Sequence, residues 1–151
     1  NFTAMKKYIF YILVLLFLTT YAYCQSVRPD GIVGLWKSPD GRLAVKIDKI
    51  GKFYQGRIAW IDLDLSQDKP LLDEKNPEPH LRNMPLKGNK MLSELSYNSH
   101  ENTWDGGIFY DADEGKLYNC SIELVDNQRL RIKKFLQNPS KADKELWMKA
   151  R

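Results

Sequence analysis

The chain has 151 residues, 23 Lys and Arg against 19 Asp and Glu, a formal net charge of +4, and two cysteines. That size suits one domain around one core. No Lys/Arg cluster marks a nucleic-acid face, and the cysteine count is too low for a disulfide-built scaffold.

Met5 reads as the natural start, and the four residues before it are set apart from the fold. Lys6 and Lys7 form a short positive region ahead of the apolar run Ile9–Leu18, about the length of a signal-peptide core (~7–15 residues). A membrane-spanning helix needs roughly twenty apolar residues, so no stable span is expected after processing. Ala22 and Cys24 suit cleavage after Cys24, leaving residues 25–151 as a single mature domain. The rival reading makes Cys24 a lipidated N-terminal cysteine, which the bulky Tyr23 disfavours; a third leaves the segment as an uncleaved anchor. The expected address is outside the cytoplasm, either periplasmic or secreted. Loss of Lys6 and Lys7 lowers the net charge from +4 to +2. Cys120 then has no disulfide partner within the chain, and it lies in an apolar stripe as a small hydrophobe.

Period-two alternation broken by turn residues dominates the rest, the pattern of half-buried antiparallel strands. Strands are predicted from Gly34 to Ser38, over Leu43, Val45 and Ile47, and from Phe53 to Ile61, where Gly56 marks a bulge or a close approach. Asp62–Leu86 is a long connection carrying Pro70, Pro77, Pro79 and Pro85, with a short helical turn expected at Glu78–Asn83. Strands resume at Lys90–Tyr97 and at Thr103–Tyr110, the latter containing Gly106-Gly107. In the next, Tyr118, Cys120, Ile122 and Leu124 share a face. Then comes Arg129–Phe135, with Leu130 and Ile132 inward, and a last strand at about Glu145–Lys149. The fold class is all-β: an antiparallel up-and-down barrel of about eight strands with one long proline-bearing loop.

Several motifs follow one another in a set order: Gly34-Leu35-Trp36-Lys37, Asp40-Gly41-Arg42, Gly56-Arg57-Ile58-Ala59-Trp60, Asp73 with Asn76-Pro77-Glu78-Pro79, Leu81-Arg82 leading to Pro85-Leu86-Lys87-Gly88, Trp104 with Gly106-Gly107, Tyr110-Asp111, and Asp113-Glu114-Gly115-Lys116-Leu117-Tyr118. This series resembles the exported bacterial family called domain of unknown function 2147, over nearly the whole mature chain. The resemblance implies a small calycin- or lipocalin-like barrel behind a signal peptide, and it implies no catalytic set. Met84 stands where that family tends to have arginine, Lys134 where it favours glycine, and Leu146-Trp147-Met148-Lys149 replaces the more usual ending.

Asp62, Asp64, Ser66 and Asp73 fall at calcium-loop intervals, but Gln67 replaces the turn glycine, so a solvated loop is preferred to a metal site. Asp73, Asn76 and Arg82 are candidate ligand residues in a lid over the barrel mouth. The alternative is an Asx-type turn with Arg82 paired to a carboxylate such as Asp73. Trp36, Tyr54, Trp60, Trp104, Tyr110, Tyr118 and Trp147 are candidates to line an apolar or carbohydrate-stacking cavity, with Trp36, Trp60, Trp104 and Tyr118 the ligand contacts chosen from them, against the simpler role of filling the barrel. His80 and His100 come without nucleophile or metal spacing, and Asp111 and Asp113 read as hairpin chemistry. The favoured function is non-enzymatic binding of a small apolar or amphipathic ligand by a monomer in the cell envelope, with no cofactor. Alternatives are an envelope module binding protein or glycan, and a hydrolase.

Overall fold

The computed structural model describes Lys6, residues 28–62 and residues 69–150. The export segment apart from Lys6, and Asp64, Ser66 and Gln67 of the calcium-like spacing, lie outside the described residues. Within them the chain forms β1 (Gly34–Lys37), β2 (Leu43–Ile50), β3 (Phe53–Ile61), β4 (Lys90–Asn98), β5 (Thr103–Asp111), β6 (Lys116–Asp126), β7 (Arg129–Phe135) and β8 (Asp143–Lys149). Each pairs antiparallel with the next. β8 returns to β1 through Trp36 opposite Lys149 and Lys37 opposite Met148, closing the barrel. Closure pairs the first strand with the last, the two that an open sheet would leave as edges. The predicted helical turn is present as a short 3-10 turn at Pro79–Leu81.

Alternation sends one side chain in two to the interior. Val45, Ile47, Tyr54, Ile58, Leu92, Leu95, Trp104, Phe109, Cys120, Ile122, Leu130, Ile132 and Trp147 meet there in one core. Burial pushes the Cys120 thiol up to about 12, so it is a packed, inert group and not a thiolate.

Irregularities in the pairing change which residues face inward; β4 takes three steps from Leu95 to Leu92 against two on β3, and two further bulges bear on the site. On β3, Ile58 lies opposite Val45 but Trp60 lies opposite Ala44, so Ala59 is an extra residue. On β5, Trp104 lies opposite Ile122 and Gly107 opposite Cys120, three steps against two. Each is a β-bulge, and each reverses the in/out order beyond it. Gly106 sits in the second bulge with φ +70°, a left-handed conformation that favours glycine. Gly107 follows for a different reason. A Cβ there would lie 2.5 Å from Leu95 Cδ2 and 2.9 Å from Cys120 Sγ, so the interior admits only hydrogen.

The two ends of the barrel differ. At one end, residues Pro29–Ile32 cross the opening and are pinned from inside. Trp104 Nε1 donates to the Pro29 carbonyl (3.0 Å) and Trp36 Nε1 to that of Ile32 (2.8 Å). Tyr54 donates to Asp30 (2.7 Å) and meets Trp104 edge-on with centroids 6.3 Å apart. Such pairing satisfies the polar tips of buried aromatics. The turns joining β2 to β3, β4 to β5 and β6 to β7 share this closed end. The opposite end carries the β1–β2 and β5–β6 turns, the β7–β8 connection and the long Asp62–Asn89 connection.

Candidate functional site

A cavity of about 510 Å³ opens at that second end, within the roughly 300–1,000 Å³ of small-molecule sites. Leu43, Ile58, Ile61, Leu86, Met91, Phe109 and Trp147 supply apolar wall. The strands set these positions directly. Phe109 and Asp111 follow the β5 bulge and point inward with Gly107, and Ile61 reaches the cavity because Ala59 reverses the order on β3.

A charged group sits against this wall. Lys134 continues the inward series of Leu130 and Ile132 on β7 and is 9% exposed. Its Nζ lies 2.5 Å from Glu145 Oε1, 3.4 Å from Asp111 Oδ2, and 4.7 Å from the Phe109 ring centroid. Trp147 Nε1 donates to the other Glu145 oxygen at 2.9 Å. Burial by itself would lower the Lys134 pKa. The Glu145 hydrogen bond and the charges of Glu145 and Asp111 outweigh it and leave the pKa raised. The ammonium is therefore held charged and is not a free nucleophile.

A rim of turn chemistry surrounds the opening. Asp40 accepts from the Ser38 hydroxyl (2.6 Å), the Arg42 amide (3.0 Å) and Arg42 Nε (2.7 Å). The Ser38 hydroxyl, then the Arg42 amide and guanidinium, hold its pKa down at about 2. Arg42 also reaches Asp113 at 3.2 Å. Asp111 plays two parts: one carboxylate oxygen accepts the Glu114 amide (3.1 Å), as hairpin chemistry predicts, and the other faces Lys134.

The long connection is anchored beside the cavity by Asp73, which is 1% exposed. Tyr110 donates to Asp73 Oδ1 (2.6 Å), and the Asn76 and Asn89 amides donate to Oδ2 (2.7 and 3.0 Å). Neutral donors thus satisfy a buried carboxylate, removing the cost of stranding it. Asn76 Oδ1 accepts the Glu78 amide at 2.9 Å, the Asx turn expected of Asn-Pro-Glu-Pro.

Of the aromatics anticipated to line a cavity, Tyr110 and Trp147 border this one; the residues chosen as ligand contacts sit elsewhere. Trp36 and Trp104 pack at the closed end. Trp60 is 42% exposed with Lys37 over its ring, because the Ala59 bulge turns it outward. Tyr118 donates to Glu114 at the surface (2.8 Å). Asp73 and Asn76 hold the loop and line a second depression of about 340 Å³ on its outer side. Arg82 donates to the Asn76 carbonyl (2.8 Å), so the anticipated Arg82–Asp73 ion pair is corrected: asparagine and tyrosine already fill that carboxylate. Lys134 and Glu145 were absent from the anticipated set. Continuing the Leu130, Ile132 alternation by one step, and stepping back two from Trp147, would have found both. Among the described residues no three of His, Cys, Asp or Glu converge on a metal geometry.

Residues 34–149 match the family model described as "Uncharacterized protein conserved in bacteria (DUF2147)". The chain is also similar to a solved structure, protein HP1028 from the human pathogen Helicobacter pylori, described as belonging to the lipocalin family. Identity is 19%, the match covers 80% of this chain and 83% of that one, and the TM-score is 0.68, a likeness of fold. Comparison with curated proteins finds no match.

Proposed function

This chain belongs to the DUF2147 family of proteins conserved in bacteria, and on that premise we propose that it is a non-enzymatic carrier of a small amphipathic ligand in the cell envelope. The observation that carries this reading is the cavity of about 510 Å³ at the loop-bearing end, with apolar walls and a small convergent polar group, Lys134, Glu145 and Asp111. Apolar surface supplies affinity and a few fixed polar groups supply orientation. The lipocalin-like barrel supports the reading by analogy of fold only. Delivery to the envelope rests on Lys6, Lys7 and the apolar run that follows them. The hydrolase alternative has less support: His100 lies in the β4–β5 turn at the end away from the cavity, and His80, in the connection at the cavity's end, lines neither depression.

The test is native mass spectrometry of the protein purified without detergent from its own compartment, with lipid extraction in parallel. A bound small molecule, lost when Phe109→Asp places a charge in the wall, is the expected result. A bare polypeptide mass, together with no binding from an envelope extract, would end the proposal.

A further inference from the structure

The charge around the opening is unbalanced. Asp40, Asp62, Asp111, Asp113 and Glu145 border the cavity, against Arg42 and Lys134. Each cation is shared between two carboxylates, Arg42 by Asp40 and Asp113, and Lys134 by Glu145 and Asp111. Asp62 has no ion-pair partner among the described residues. Five negative charges against two positive leave the lining at a formal −3. A cleft with low-dielectric walls concentrates such a field instead of letting water screen it.

The contacts within the cavity have the same sign preference. Lys134 is tied to Glu145 at 2.5 Å and turned toward the Phe109 ring, so an incoming anion would have to compete with an existing short pair. Asp111 is held more loosely. Its Oδ2 lies 3.4 Å from Lys134, and its side chain is 18% exposed. An ionised carboxylate offers about four lone-pair sites, so Asp111 keeps acceptor capacity at the cavity surface.

We propose that the ligand is a cationic amphiphile. Its alkyl or small apolar body rests on Leu43, Ile58, Met91 and Phe109, and its ammonium lies at the mouth between Asp111 and Asp62. This deepens the carrier reading and rests on it.

The experiment compares three probes of equal chain length, decylammonium, decanoate and decan-1-ol, titrated below their aggregation limits at neutral pH. Binding is followed by calorimetry and tryptophan fluorescence. Decylammonium is expected to bind on the order of tenfold more tightly than decanoate at about 20 mM salt, with the gap narrowing at about 500 mM. Asp62→Asn with Asp113→Asn should weaken decylammonium several-fold; the salt series on the unaltered protein stands even if that variant folds poorly. If decan-1-ol binds and decanoate equals or exceeds decylammonium, the cationic preference is overturned while the carrier reading stands. If none of the three binds, both fall.

Discussion

The Tyr110 hydroxyl donates to the Asp73 carboxylate across 2.6 Å, joining the end of β5 to the long connection that precedes β4. Removing it by Tyr110→Phe leaves a buried carboxylate oxygen short of a donor and should cost about 1.5–3 kcal/mol. The pH dependence has a definite sign. Burial, then the Asp73 hydrogen bond and charge, push the Tyr110 phenol far above its ordinary value. An unfolded tyrosine ionises near pH 10 while the folded one keeps its proton, so this stabilisation is complete below about pH 10 and is lost as pH rises beyond it. Urea midpoints at neutral and alkaline pH check this: the variant should be weaker at neutral pH and show a flatter alkaline decline.

Gly107→Ala should destabilise by about 1–3 kcal/mol through overpacking, because its Cβ would meet Leu95 Cδ2 at 2.5 Å. Truncating Leu95 to Ala makes room. The double variant should therefore lose less than the sum of the two single losses. Strict additivity in a urea double-mutant cycle would show that the close approach is not what requires glycine.

Lys134→Met strands Glu145 and Asp111 beside each other without their shared cation. A loss of about 2–4 kcal/mol is expected, somewhat below a fully buried pair because the cavity opens to solvent. Adding Glu145→Gln removes one stranded charge and should recover part of that loss. A double variant weaker than the single one would contradict the pairing.

Asp40 sets the acid limb. Its pKa is held at about 2 against an ordinary 3.8, so its contribution is present above 3.8 and is lost as pH falls toward 2. Asp40→Asn should reduce the pH dependence of stability in that window. Its side chain is 52% exposed, so solvent screening keeps the effect small. Denaturant unfolding between those two pH values, followed by tryptophan fluorescence, is the measurement.

The barrel was legible because every strand carries alternation and most turns carry Gly, Asn or Asp; the predicted Gly34, Phe53 and Arg129 starts coincide with β1, β3 and β7. The site was less legible for two physical reasons. Alternation says which residues point inward but not which end of the barrel they reach, so Trp36 and Trp104 were grouped with cavity residues although they seal the far end. Bulges also reverse the order without a fixed sequence mark: Ala59 carries Trp60 outward, and the Asp105–Gly106 step carries Asp111 inward. Lys134 was hidden by its own charge, which reads as a surface residue until Glu145 and Asp111 are seen around it.

The bulge at Gly106 has a genetic consequence. Losing that one residue would leave two steps against two, so Trp104, Gly107, Phe109 and Asp111 would all keep their inward positions. The loss of one residue beyond the bulge, such as Ile108, would instead turn Asp111 outward and Tyr110 inward, so the same lesion spares or rewrites the rim according to which side of Gly107 it falls on.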